Sequence, residues 1–258
     1  MPIIILCITI STYLICIFII SRWYVQKLKL DFLINDITNA TNETDQASSV
    51  EYIEYTPTDE NDEYANISFI NKDFTDLLNQ NSDTVGWIKV NNTNVDYPIT
   101  QYTDNKYYLK HDFNKKSNYN GWVYADYRDD FKYFGKNSIV YAHNLTNRKM
   151  FGSLVWCLKE SWYTNEDNMY IKISTPTSNT VWKIFSIYTI VPESYYIRTY
   201  FPTQEEHTEF LKTIKDRSIY DFNEELTTED KVLTLSTCTD DGTKRVVIHS
   251  KMIKAEYK

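Results

Sequence analysis

The chain has 258 residues with a formal net charge of -8 at pH 7, and 16% of the residues are aromatic while only 5 are glycine. No stripe of clustered basic residues is present, which argues against nucleic acid as a partner. The length allows one domain with a substantial hydrophobic core in addition to a terminal segment.

The N-terminal segment is apolar and uncharged from Ile3 to Ile20, which is about the minimum length of a helix that crosses a bilayer. A cleaved signal peptide is the alternative, but Ser21-Arg22-Trp23 lacks the small-x-small pattern of a cleavage site. Residues 1–22 are therefore predicted to be a single-pass transmembrane anchor.

Two segments follow the predicted anchor. Residues 23–64 are predicted to be a juxtamembrane stretch and a solvated linker, because 36–63 is acidic and contains no Lys or Arg. Residues 65–258 form one predicted domain. By the positive-inside rule alone that domain would be cytoplasmic, since the nearest basic residues follow the anchor: Arg22, Lys27 and Lys29.

The remaining sequence is predicted to be mainly β. Apolar residues at helical spacing predict amphipathic helices over Ile67–Gln80 and Gln204–Arg217. Eight strand-like runs with short turns favour a closed or nearly closed barrel. These runs are Gly86–Val90, Val95–Gln101, Gly121–Tyr124, Ser138–His143, Met169–Ser174, Val181–Val191, Val232–Cys238 and Arg245–Ile253.

The four cysteines are expected to have different environments. Cys7 and Cys16 lie inside the predicted anchor, and Cys157 follows a short apolar segment and is expected to fill the core. There is no CxxC pair and no histidine-rich cluster, so we predict neither a metal site nor a cofactor.

Cys238 ends a β-branched run, and the turn-forming Asp240-Asp241-Gly242 separates it from Arg245, which opens the next run. Two strands joined by this loop would place a thiol beside a guanidinium. A cysteine exposed next to a fixed positive charge has the environment of a nucleophile. From these two segments alone, a buried core cysteine and a surface arginine are an equally good interpretation.

A nucleophilic cysteine needs a proton carrier, and the sequence has four histidines. His143 ends a predicted strand and is favoured. His249 shares a strand face with Arg245 and is the alternative. His111 and His207 lie in charged segments and are expected to be solvated.

Several ordered motifs resemble sortases, the membrane-anchored cysteine transpeptidases of Gram-positive bacteria. The signature is carried by Thr234-Leu-Ser-Thr-Cys238, by Arg245, and by Tyr141-Ala-His-Asn144. Further segments resemble class B: Val85-Gly-Trp-Ile88, Val95-Asp-Tyr-Pro98, Asp104-Asn-Lys-Tyr-Tyr-Leu109 and Gly121-Trp-Val-Tyr-Ala-Asp-Tyr-Arg128. The resemblance begins at about Ile67. It implies an eight-stranded sortase-type β-barrel with N-terminal helices, an inserted helix before the cysteine strand, and a domain that faces the cell wall.

The resemblance also implies roles for particular residues. Cys238 would be the nucleophile, His143 the acid and base, and Arg245 the residue that steadies the substrate carbonyl and the oxyanion. Ser236 shares a strand face with Cys238, which independently favours a place near the substrate. The implied substrate-binding residues are Ser236, Asn105, Leu109, Tyr196 and Ile197. Thr239 departs from the pattern at a position where an acidic residue can occur, and the six-residue loop before Arg245 is short for class B.

The implied function is cleavage of a C-terminal sorting signal after Thr through a thioester, with transfer of the surface protein to a cell-wall amine. The signal would resemble NPxTN or PxTG, and the amine would come from a peptidoglycan cross-bridge or a pilin lysine. A hydrolytic cysteine protease and an inactive wall-binding module are the alternatives.

Overall fold

A computed structural model describes the backbone of residues 2–43 and 64–258, and the side chains of residues 7–39 and 64–258. Eight strands close into a barrel in the order β1-β2-β3-β4-β7-β8-β6-β5. The strands are β1 (Thr84–Val90), β2 (Asp96–Thr100), β3 (Tyr124–Ala125), β4 (Asn137–Tyr141), β5 (Tyr170–Ser174), β6 (Ser178–Ile190), β7 (Val232–Cys238) and β8 (Arg245–Tyr257). The predicted mainly β barrel is confirmed.

The pairing of the strands is antiparallel except at two junctions. β2 pairs parallel with β3, and β4 pairs parallel with β7. The β4–β7 pair joins segments that are far apart in sequence, and it brings the end of β4 to the end of β7. The β7–β8 hairpin completes the same end of the barrel.

The predicted strand at Gly121–Tyr124 is displaced toward its C-terminal end. Gly121 has a positive φ of 58°, and Trp122 N–H donates to the Tyr108 carbonyl at 2.9 Å rather than to a neighbouring strand. Ladder pairing therefore starts only at Tyr124.

In the described part of the chain, the α-helices are α1 (Pro2–Glu43), α2 (Thr75–Gln80), α3 (Glu160–Tyr163) and α4 (Gln204–Asp216). The helix predicted over Ile67–Gln80 forms only in its second half. Lys254 Nζ donates to the carbonyls of Ala65 and Ile67 at 3.1 and 3.0 Å, and Lys72 N–H donates to Ser174 Oγ. Tertiary hydrogen bonds thus replace the first turns of that helix.

The inserted helix α4 agrees with its prediction. Thr203 accepts a hydrogen bond from Glu206 N–H and caps the helix, and the acidic first turn suits the helix dipole. The helix buries Phe210, Leu211 and Ile214 against Phe185 and Val232 of the barrel.

Helix α1 is continuous across the boundary predicted at residue 22 and ends at Glu43. Its span Cys7–Asn39 is long and apolar enough to cross a membrane, with a mean hydropathy of 1.6, a test that a signal sequence also passes. Leu30 and Ile37 on its second half are buried and belong to the same hydrophobic cluster as residues of the barrel. The helix therefore includes the first residues of the predicted solvated linker, and the rest of that linker lies outside the described residues.

Candidate active site

The β7–β8 hairpin places Cys238 and Arg245 directly opposite each other. They are the last cross-strand pair of the ladder, and Gly242, with a φ of 71°, lies in the turn that joins them. Arg245 Nη1 donates to Cys238 Sγ at 3.0 Å, and the sulfur is partly exposed. The predicted juxtaposition of a thiol and a permanent cation is present.

The parallel pairing of β4 with β7 brings His143 to the same place. The last registered pair is Tyr141 with Ser236, and Thr237 Oγ1 donates to the Ala142 carbonyl at 2.8 Å just beyond it. Continuing this register by two residues along both segments leads to His143 and Cys238, so we infer that the two side chains lie near each other.

Hydrogen bonding defines the proton positions on the His143 ring. Nε2 lies 2.9 Å from the Leu109 carbonyl, which can only accept, so Nε2 carries a hydrogen. Nδ1 is therefore the ring nitrogen that this contact leaves available for another partner. A Cβ on Gly121 would lie 3.0 Å from His143 Cδ2, so the glycine leaves room for this ring position.

The other histidines are engaged elsewhere. His249 is fully buried between the barrel wall and α4, where its ring lies between Tyr188 and Thr234, and burial lowers its pKa to about 3. His207 is buried against Phe201 and Phe210 on the inner face of α4, so the expectation that it is solvated was wrong. Its flanking glutamates indicated exposure, but helical periodicity turns its ring inward.

His111 is half-buried rather than solvated, because its ring stacks on Tyr107 with centroids 3.9 Å apart. Its Nδ1 also lies 2.7 Å from the Tyr107 carbonyl. Cys157 is buried in the core as predicted, and burial raises the pKa of its thiol.

The loop after His143 is tied to the nucleophile strand. Asn144 Nδ2 donates to the Cys238 carbonyl at 3.0 Å and to Asp240 Oδ1 at 2.9 Å. Arg148 forms a two-pronged contact with the same carboxylate, at 2.7 and 3.0 Å. Hydrogen bonds from Arg148 and then Asn144 lower the pKa of Asp240 to about 2.

Two predicted substrate residues are linked through a buried carboxylate. Asp126 is completely buried, and its Oδ2 accepts from Asn105 at 2.8 Å, from Arg128 at 2.7 Å and from Tyr141 at 3.0 Å. Arg128 Nη2 also donates to the Ile197 carbonyl at 2.9 Å. Burial would raise the pKa of Asp126, but hydrogen bonds from Arg128 and Asn105 outweigh it and hold that pKa below its usual range.

Ser236 and Tyr196 are brought together where the segment after β6 packs on the barrel wall. Both are 4% exposed, and the Tyr196 hydroxyl lies 3.2 Å from Ser236 Oγ. Leu109 is half-buried, and its carbonyl holds His143. The predicted residues thus lie around one end of the barrel. Leu109 and Ile197 make the hydrogen bonds described here through their backbone carbonyls. Asn105, Tyr196 and Ser236 make theirs through their side chains.

Sequence reasoning assigned no role to Asp126, Arg128, Asn144 or Asp240. Asp126 and Arg128 belong to a motif that carried the family resemblance, and Asn144 follows His143 directly. Their contacts connect segments up to 96 residues apart. No local periodicity indicates such contacts.

Comparison with known proteins agrees with this arrangement. The sequence matches the Sortase domain family over residues 88–253. Sortase B of Listeria monocytogenes is 32% identical over 187 residues, which cover 71% of this chain and 75% of that protein.

Solved structures agree as well. The Staphylococcus aureus sortase B–substrate complex has a TM-score of 0.65 and 34% identity, and the match covers 70% of this chain and 84% of the other. A sortase B complexed with triglycine has a TM-score of 0.66 and 33% identity, with 70% and 85% covered. The chain with Cys238 and Arg245 at the end of its barrel therefore belongs to the sortase family, as a sortase B-like cysteine transpeptidase.

Proposed function

We propose that Cys238, His143 and Arg245 cleave a C-terminal sorting signal after Thr and transfer the surface protein to a cell-wall amine. The contact between Arg245 Nη1 and Cys238 Sγ, at 3.0 Å, carries this proposal. It places a cation where an anion forms, whether that anion is a thiolate or the oxygen of a tetrahedral intermediate.

The acylation step uses all three residues. Cys238 Sγ bonds to the carbonyl carbon of the substrate Thr, and the electron pair of the C=O bond moves to oxygen. Arg245 donates hydrogen bonds to this oxyanion, a contribution of about 10²–10³ in rate. His143, protonated on Nδ1, gives a proton to the departing nitrogen as the C–N bond breaks, a contribution of about 10²–10⁴.

The deacylation step reverses these roles. A primary amine attacks the thioester carbon, His143 Nδ1 accepts the proton, and the sulfur leaves as a thiolate. The triglycine complex of a similar sortase B supports a glycine-type peptide amine as the acceptor. Water would be the slower nucleophile.

We further propose that α1 anchors the enzyme in the membrane with its catalytic domain outside the cytoplasm. Its first part exposes large apolar side chains, among them Phe18, Ile19 and Ile20, which lipid would cover. The outward orientation rests on family membership, because the basic residues after the anchor favour the opposite one. Labelling Cys238 in intact cells with a membrane-impermeant thiol reagent tests the orientation, and labelling only after lysis would contradict it.

The chemistry is tested with a fluorogenic NPQTN peptide, which follows the NPxTN pattern. Cys238→Ala should abolish turnover and the acyl-enzyme mass, and His143→Ala should cost about 10²–10⁴ in kcat/KM. Cys157→Ala is the matched thiol control and should keep turnover. An acyl-enzyme formed by Cys238→Ala would exclude this thiol as the nucleophile.

A transfer assay separates the transpeptidase from a hydrolytic protease. With triglycine present, the ligated product should exceed the hydrolysed one and grow with triglycine concentration. A product that is always the free acid would mean that the enzyme hydrolyses the sorting signal only.

A further inference from the structure

A chain of hydrogen bonds runs beside the site, between the outer face of the barrel wall and the insertion that precedes β7. Tyr195 OH lies 2.7 Å from Tyr188 OH, which lies 2.8 Å from His249 Nε2. On the other side of the ring, His249 Nδ1 lies 2.9 Å from Thr234 Oγ1. Thr234 Oγ1 in turn lies 2.6 Å from Asn137 Oδ1. We call these five side chains the buried relay.

Elementary chemistry assigns a single direction to the relay. Asn137 Nδ2 lies 3.1 and 2.7 Å from the carbonyls of Tyr196 and Arg198, which accept only, so the amide nitrogen faces them and the amide oxygen faces Thr234. Thr234 donates its one hydroxyl hydrogen to that oxygen. His249 Nδ1 must then donate to Thr234.

The number of hydrogens on each group also determines the donors and acceptors in the other half of the relay. Neutral His249 with a hydrogen on Nδ1 has a bare Nε2, which accepts from Tyr188 OH. Tyr188 has one hydroxyl hydrogen, so Tyr195 donates to Tyr188. Every donor therefore points the same way, an arrangement in which each bond strengthens its neighbours.

The relay begins and ends on one segment. Tyr195 starts it, and the Tyr196 and Arg198 carbonyls end it, so the relay holds residues 195–198 from the side that faces the barrel wall. This segment includes Tyr196 and Ile197, two of the proposed substrate-binding residues, and its outer face lines an open cleft with Pro192, Glu193 and Ser194.

We propose that His249, Tyr188 and Thr234 are positioning residues that hold the segment 195–198 in the shape that receives the sorting signal. This inference rests on the proposed function, because it assumes that the segment contacts the peptide. The relay lies between the outer face of the barrel wall and the insertion that carries residues 195–198 and α4, with Phe210 of α4 against the His249 ring. His249 and Thr234 are fully buried there and Tyr188 is 2% exposed, so water cannot replace a lost partner.

Single-atom changes in the full-length protein test the proposal. Tyr188→Phe removes the hydroxyl that joins Tyr195 to His249, and Thr234→Val removes the hydroxyl that joins His249 to Asn137. Thr234→Ser keeps that hydroxyl and serves as the conservative rescue. Thr180→Val is the matched control, because Thr180 is also a buried threonine whose hydroxyl accepts a hydrogen bond, from Trp182 Nε1 at 2.8 Å.

Three readouts separate positioning from general destabilisation. Tyr188→Phe and Thr234→Val should raise KM for the NPQTN peptide about 3- to 30-fold, the range of couplings through packed networks. Their kcat and the rate at which iodoacetamide labels Cys238 should stay within about twofold of wild type. Backbone amide exchange in residues 195–198 should accelerate in both variants and stay unchanged in Thr180→Val and Thr234→Ser.

Each outcome bears on a different proposal. If Tyr188→Phe keeps both the wild-type KM and the wild-type amide exchange rates at residues 195–198, the positioning role of the relay is refuted. The proposed function would stand. A wild-type protein that cleaves no sorting peptide would overturn the proposed function, and amide exchange would still decide the relay. If Thr234→Val fails to fold, Tyr188→Phe carries the same test.

Discussion

Gly121 controls the position of the His143 ring. Its φ of 58° is in the left-handed region, and a Cβ there would approach the Tyr108 carbonyl to 2.5 Å and the imidazole to 3.0 Å. Only a residue without a side chain lets the Leu109 carbonyl reach His143 Nε2 at this distance.

We therefore expect Gly121→Ala to reduce kcat by about 10- to 100-fold, because the displaced imidazole no longer reaches the leaving group. Turnover of the NPQTN peptide measures the loss of kcat, and the thermal midpoint of unfolding measures any change in stability. Gly135→Ala is the control, since a Cβ at Gly135 meets nothing within 4 Å. Equal kcat in the two alanine variants would contradict this account of His143.

At the scale of elements, Arg128 joins β3 to the segment before α4. Its guanidinium makes a two-pronged contact with Asp126, with both N···O distances 2.7 Å, and donates to the Ile197 carbonyl. Asp126 in turn holds Asn105. One buried carboxylate thus links Asn105 to Arg128 and, through Arg128, to Ile197.

Replacing Arg128 by Lys keeps the charge but not the planar fork, so it cannot hold Asp126 and Ile197 at once. A hydrogen bond to a charged group contributes about 1.5–3 kcal/mol. Arg128 is more than a third exposed, so solvent screening makes the free energy lost in Arg128→Lys smaller than this. We expect about a tenfold rise in KM for the peptide with little change in kcat. Lys132→Ala, at an exposed basic residue in the same segment, is the control and should have the wild-type KM. An equal KM for the Arg128 and Lys132 variants would contradict the role of Arg128 in joining Asp126 to Ile197.

At the scale of the whole molecule, α1 packs against the barrel. Leu30 is 1% exposed and Ile37 is 2% exposed, and Asp31 forms an ion pair with Lys149 at 2.7 Å. Lys149 lies in the loop that follows His143. Helix α1 and the loop after His143 therefore share one packed surface.

Leu30→Ala should detach this part of α1, because truncating a buried leucine costs about 2–5 kcal/mol. Limited proteolysis near residue 40 measures the detachment, and cleavage should be faster than in wild type. Leu28→Ala is the control on the same helix, since Leu28 is 39% exposed. Equal cleavage rates for the two variants would show that α1 is not held by Leu30.

The buried His249 gives the whole fold a pH dependence. The unfolded chain takes up a proton near the ordinary imidazole pKa of 6.5, whereas the folded chain takes it up only near about 3. Between these values the unfolded state binds more protons, so the free energy of unfolding falls as pH falls, by up to about 1.4 kcal/mol per pH unit.

Urea unfolding of wild type and His249→Gln at about pH 7 and about pH 4.5 measures this contribution. The wild-type protein should lose more stability over this interval than the variant, because glutamine does not titrate. Parallel losses in the two proteins would mean that His249 is protonated in the folded state.

Much of the fold follows from local pattern in the sequence. The runs that became β1, β7 and β8, the amphipathic face of α4 and the pairing of Cys238 with Arg245 depend on residues close in sequence. Side-chain period and turn chemistry act at that range. The family motifs added His143 and the residues around it.

Tertiary structure decided what local pattern left open. It distinguished the two candidate histidines. The parallel β4–β7 register leads His143 toward Cys238, whereas His249 is completely buried, and both results depend on residues far apart in sequence. It also replaced the first turns of the helix predicted at Ile67 with hydrogen bonds to Lys254, and it packed α1 on the barrel. In each case a partner distant in sequence offers a better hydrogen bond or more buried surface than the local alternative, and the sequence by itself does not show which distant partner will be adjacent.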